Sequence, residues 1–101
     1  MEIGQKQLGF DIETQPCWIG KNEFPFTGTI KNVEPVRGKY GKTDYRLELF
    51  STDNGTTRNF DVWGDNLNYL VNVFGPRADG WLQQCIRIER GPDLKRVVHR
   101  V

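Results

Sequence analysis

The sequence predicts a small all-β barrel carrying one short helix, with elements in the order β-β-β-α-β-β. Three observations lead there. Apolar residues alternate at a period of two in five short runs bounded by Gly, Pro, Asn and Asp. The period changes to that of a helix between the third and fourth runs. The alternation of the first run also slips around a glycine, the mark of a strand curved enough to turn a barrel corner.

The first strand opens with Phe26-Thr-Gly-Thr-Ile30, and its slip lies between Ile30 and Val33, with Gly28 inside the run. A polar loop follows, Arg37-Gly-Lys-Tyr-Gly-Lys-Thr43. The second strand runs from Asp44 to Thr52 with Tyr45, Leu47 and Leu49 on one face, and the third from Thr56 to Gly64 with Phe60 and Val62 inward. Between them, Asn54-Gly55 predicts a two-residue type I′ turn, since that turn wants positive φ at both central positions. This register sets Leu49 against Phe60 and Leu47 against Val62, so the two apolar faces coincide. On the opposite face it sets Arg46 against Trp63, Phe50 against Asn59, and Glu48 against Asp61.

Leu67, Leu70, Val71 and Phe74 fall at i, i+3, i+4 and i+7, one face of a short helix. Asp65 or Asn66 is placed to cap it, and Gly75-Pro76 to end it. The fourth strand is expected from Trp81 to Arg90. Gly91-Pro-Asp-Leu-Lys95 makes a turn, and Arg96 to Val101 is the fifth strand. Residues 1–23 read as an acidic extension in which Leu8, Phe10 and Ile12 alternate briefly before Pro16, enough for one added strand.

A chain of 101 residues makes one domain with a single core. With 37% hydrophobic and 27% charged residues it is neither disordered in composition nor membrane-spanning, as no apolar run approaches ~18–20 residues. The first residues lack the layout of a secretory signal. Cys17 and Cys85 are too few for a disulfide framework and, with His99, too few for a zinc site that needs about four ligands. The expected setting is cytoplasmic, with reduced thiols. The net charge of +1 hides an asymmetry. Residues 1–23 carry −2, from Lys6 and Lys21 against Glu2, Asp11, Glu13 and Glu23, and residues 24–101 carry +3.

The order of elements resembles the oligonucleotide/oligosaccharide-binding (OB) fold, a five-stranded Greek-key barrel with a helix between its third and fourth strands. The resemblance covers residues 26–101, through the Phe26–Ile30 opening, the Asn54-Gly55 hairpin and Val62-Trp63-Gly64 before the helix. Phe74-Gly75-Pro76 followed by Trp81 and Ile86-Arg87-Ile88 is also similar to small OB proteins of phages and other mobile elements. It implies an OB-fold domain over residues 24–101 behind the extension at 1–23.

The resemblance further implies a ligand across the second and third strands, bounded by the first–second and fourth–fifth loops. The first rim holds Arg37, Lys39, Tyr40 and Lys42, joined by Arg46 on the sheet face. The other holds Arg87, Arg90, Lys95, Arg96 and Arg100, against Glu89 and Asp93. Trp63 and Phe50 lie on the face between, with Arg58 as a further cation. Exposed aromatics between basic loops suit single-stranded nucleic acid, because bases stack on rings while Lys and Arg track phosphates. The facing carboxylates Glu48 and Asp61 oppose this, since they repel a phosphate backbone.

Simpler roles exist for the same residues. Trp63 can pack under the extension, Phe50 can cover a loop, and Arg46 beside Trp63 can be a stabilising cation–π pair. Phe24, Phe26, Phe60, Tyr69 and Phe74 read as core or near-core, and Trp81 as a plug at a barrel end. No catalytic constellation is legible: His99 stands without a nucleophile or carboxylate that sequence can place beside it, and Gly38-Lys-Tyr-Gly41 lacks the phosphate-loop spacing. The expected function is largely sequence-independent binding of single-stranded DNA, in replication, recombination or repair, without enzymatic activity, metal or small-molecule cofactor. The alternatives are single-stranded RNA binding and a protein-interaction or oligomerisation module. The expected partners are single-stranded DNA ahead of RNA, and a second copy of the chain as a homodimer; no membrane is expected.

Overall fold

In the computed structural model of the protein the described residues are 17–101. Six strands form one curled sheet: β1 (Cys17–Trp18), β2 (Phe26–Arg37), β3 (Thr43–Phe50), β4 (Thr57–Val62), β5 (Cys85–Arg90) and β6 (Arg96–Arg100). Their order across the sheet is β1-β4-β3-β2-β5-β6, and the helix α1 (Gly64–Phe74) lies between β4 and β5 in the chain. The five expected strands are β2 to β6. The sixth arises because Cys17–Trp18 pairs in parallel with Arg58–Asn59 on the outer edge of β4. The expected alternation at Leu8, Phe10 and Ile12 lies outside the described residues. The sheet curls into a half-barrel, with β1 and β6 at its two edges.

The long strand β2 produces the curl. Its first residues, Phe26 to Thr29, pair with β5, and from Thr29 onward it pairs with β3. The expected slip is a bulge between Ile30 and Asn32, where an extra residue bends the strand and tightens its twist. A Cβ on Gly28 would stand 3.1 Å from the Phe50 carbonyl oxygen and 3.2 Å from Leu49 Cβ, so the glycine admits the close approach of β3. Phe26, Ile30, Leu47, Leu49, Phe60, Val62, Ile86, Ile88 and Val98 all turn inward and form the core with Leu70 of α1 and Trp81. Trp81 is buried, and its indole N–H donates to the Gly75 carbonyl at 2.8 Å, closing that end.

The β3–β4 hairpin departs from the expected two-residue turn. Asn54 does not take positive φ, whereas Gly55 does, at 72°. The connection is a four-residue loop closed by Ser51 N–H to the Thr56 carbonyl (2.8 Å), with Gly55 N–H donating to the Ser51 carbonyl (2.9 Å). Asn54 Oδ1 instead accepts from the backbone N–H and hydroxyl of Thr56, a side-chain turn that competes with the type I′ geometry. Widening the loop from two residues to four moves the pairing by two. Leu47 faces Phe60, Arg46 faces Asp61, Glu48 faces Asn59 and Phe50 faces Thr57. A shift of two leaves every side chain on its expected face and changes every partner.

Two further boundaries differ. α1 begins at Gly64 with Trp63 as its N-cap and no side-chain cap. Asn66, an expected cap, has its amide engaged elsewhere: it donates to the Arg96 carbonyl (2.9 Å) and accepts from Val98 N–H (3.3 Å). Tyr69 Oη accepts from Arg100 N–H at 2.9 Å. These bonds satisfy edge groups of β6 and tie α1 to it. β5 starts at Cys85 and not at Trp81, because Ala78–Trp81 forms a 3-10 turn and Gln83 takes φ of 70°.

Candidate functional site

Trp63 is where the strand β4 gives way to the helix. Its backbone is still extended (φ −154°, ψ 170°), so its side chain continues the outward series Asn59, Asp61. On that outer face the indole remains 60% exposed. It lines two clefts. One, of about 700 Å³, is walled by Lys39, Tyr40 and Lys42 from the β2–β3 loop, by Asp44 from the start of β3 and by Leu67 from α1. The other, of about 510 Å³, lies on the gap between β4 and β6 and is walled by Phe60, Asp61 and Asn66 opposite Lys95 and Arg96.

The β2–β3 loop is shaped by Gly38, whose N–H donates to the Lys42 carbonyl at 2.7 Å. A Cβ there would sit 2.5 Å from that carbonyl oxygen, so no other residue fits without opening the loop. Gly41 at φ 80° completes the turn and leaves Tyr40 84% exposed. Lys39, Lys42 and Lys95 form no ion pair among the described residues. Their charges face solvent, available to an anion. The guanidinium of Arg96 lies 4.4 Å from the Phe24 ring centroid, which holds it at the mouth of the second cleft. Against these stand Asp44 and Asp65, one in each cleft.

The structure thus gathers Lys39, Tyr40, Lys42, Trp63, Lys95 and Arg96 around one indole. Arg37 is exposed at the end of β2 opposite Thr43, beside the first cleft, and Arg90 is exposed opposite Arg96, beside the second. Four other expected residues stand elsewhere. Phe50 pairs with Thr57 at the far end of the hairpin, six residues of β4 away from Trp63, and the Lys31 ammonium lies 6.0 Å from its ring. Arg58 points to the inner side and forks onto Glu23 at 2.8–3.2 Å. The fork and the Gly20 N–H hold the Glu23 carboxyl down at about 2, and the fork raises the pKa of Arg58. Arg87, across β3 and β2 from β4, donates to Glu89 at 2.7 Å and depresses its carboxyl. Arg46 grips Asp61 through two hydrogen bonds, at 2.9 and 3.2 Å, which raise its own pKa.

The changed pairing therefore corrects two expectations at once. Arg46 does not face Trp63, and the repulsive Glu48–Asp61 pair is absent: Asp61 is neutralised by Arg46 and Glu48 faces Asn59. Arg46 stacks instead on Trp18, its guanidinium carbon 4.7 Å from the ring centroid. Trp18, 52% exposed on β1, is the aromatic that the sequence pattern missed. Its signal was the pair of apolar residues Trp18-Ile19 just after Pro16, too short a run to register as a strand. Groups of three or more His, Cys, Asp or Glu able to hold a metal are absent among the described residues, as is any helix long and apolar enough to cross a membrane. The chain matches no family model, no curated protein and no solved structure.

Proposed function

We propose that the protein binds single-stranded DNA, largely without regard to sequence, at the two clefts that meet at Trp63. The observation that carries this is the exposed indole set between unpaired lysines from two separate loops. A base stacked on such a ring is worth roughly 1–3 kcal/mol whatever its identity, and Tyr40 offers a second ring one loop away. Lys39, Lys42 and Lys95 hold the phosphates on either side. The place supports the reading as well: the clefts lie at the β2–β3 and β5–β6 loops, where OB-type barrels take their ligands, and the helix falls between the third and fourth of the five main strands as in that fold. Stacking does not read the sugar, so single-stranded RNA competes for the same surface. Such a protein would serve replication, recombination or repair.

The test is a titration of labelled oligo(dT) followed by anisotropy at low and moderate salt, with Trp63→Ala and Lys39→Ala compared with the parent chain. Saturable binding that weakens with salt and falls roughly 5- to 100-fold in Trp63→Ala is expected. A flat response, or Trp63→Ala binding as well as the parent, overturns the reading and leaves the face to a protein partner.

A further inference from the structure

We propose that Trp18, carried on the added strand β1, is a second base-stacking platform, so that the bound strand runs from the Trp63 clefts along the outer edge of β4; this rests on the reading of Trp63 given above. Trp18 aligns with Asn59, and Asn59, Asp61 and Trp63 project to the same outer side. The two indoles are therefore about 13 Å apart along the strand direction, at ~3.3 Å per residue. That spans roughly four nucleotides of a stacked strand at ~3.4 Å each, and fewer of a stretched one.

The ring is also pre-set for this use. The guanidinium of Arg46 covers one face of Trp18 at 4.7 Å, and Asp61 fixes that guanidinium by two hydrogen bonds. Half of the residue remains exposed to solvent. A ring backed on one side by a held cation loses little freedom when a base lands on the other. Two features bring the ring here: the parallel pairing of Cys17–Trp18 with β4, and the Glu23–Arg58 fork five residues further on. Lys21 is exposed in the turn between them. Residues 17–23 thereby become part of the binding surface.

Two measurements on the full chain decide it. The first compares Trp18→Leu and Trp18→Phe with the parent for oligo(dT) of about twelve and about three nucleotides. Trp18→Leu should lose roughly 5- to 100-fold on the longer strand and little on the shorter, with Trp18→Phe close to the parent. The second needs no variant. With all three tryptophans labelled as 5-fluorotryptophan, the fluorine signals of Trp18 and Trp63 should both move with the longer oligonucleotide, while buried Trp81 stays still. A silent Trp18 signal beside a responsive Trp63, or a folded Trp18→Leu chain that binds the longer strand as the parent does, overturns this proposal and leaves the Trp63 reading standing. Silence from both indoles removes the two together.

Discussion

Glu23 is the residue whose ionisation the fold depends on most plainly. Its carboxylate takes three hydrogen bonds from Arg58 and one from Gly20 N–H, and its pKa falls from 4.5 to about 2. A carboxyl whose folded pKa is depressed contributes stability above its unfolded value and loses it as pH falls through the folded one. The parent chain should therefore lose part of its stability between about pH 4.5 and 2, and Glu23→Gln should be less stable at neutral pH with a weaker loss across that window. Thermal melts at steps of pH read both. If Glu23→Gln tracks the parent throughout, the fork contributes nothing in solution. The indole of Trp63 is largely exposed, so Trp63→Ala should leave the melting temperature within a few degrees of the parent. Any loss of affinity then belongs to the interface.

Two elements hold the sheet in its curled form, and each has a residue that tests it. In β2, Gly28 faces Phe26, Leu49 and the Phe50 carbonyl at distances of 3.0–3.2 Å from where a Cβ would sit. Gly28→Ala should cost about 1–3 kcal/mol, the usual range for overpacking a filled core, because the neighbours include backbone that cannot swing away. Urea denaturation measures it. On the opposite flank, Asn66 and Tyr69 of α1 act as a substitute strand for the edge of β6. Asn66→Ala should cost about 1–3 kcal/mol through the backbone groups it strands. It should also make the chain prone to self-association, since an edge strand left unpaired is a template for another. Light scattering beside the melt separates the two effects. An unchanged melt together with a monodisperse chain would show that water satisfies those groups equally well.

At the scale of the whole molecule, the sheet is a half-barrel, and its incompleteness creates the candidate interface. Because β4 and β6 do not pair, the gap between them becomes a cleft, and Trp63 stands at its rim with the β2–β3 loop on its other side. The overall charge of +1 makes long-range attraction weak. Three lysines without ion pairs predict contacts to about three phosphates. At ~0.7 per contact for a single strand, the logarithm of affinity should fall with the logarithm of salt at a slope near −2. Lys39→Ala should reduce that slope by about 0.7 while lowering affinity for every sequence alike. A slope near zero would mean that the lysines do not meet phosphate.

What could be read from the amino-acid order was periodic or local. The alternation of Leu47 and Leu49, of Phe60 and Val62, and of Ile86 and Ile88 places those residues inside, because a strand sends successive side chains to opposite faces wherever it sits. The slip between Ile30 and Val33 announces the bulge, and the spacing of Leu67, Leu70, Val71 and Phe74 announces the helix, for equally local reasons. The loop residues Lys39, Tyr40 and Lys42 are exposed as their composition implies. Partnership was another matter. Asn54 had two uses for its side chain and backbone, and the choice moved each cross-strand pair by two residues. That single step turned Arg46 from Trp63 to Asp61 and Trp18, took Phe50 out of the site, and separated Glu48 from Asp61. Cys17–Trp18 is too short to form a strand by itself and becomes one because β4 offers an open edge. Faces follow from chain geometry, whereas neighbours across strands depend on which of several similar contacts the folded sheet can satisfy together.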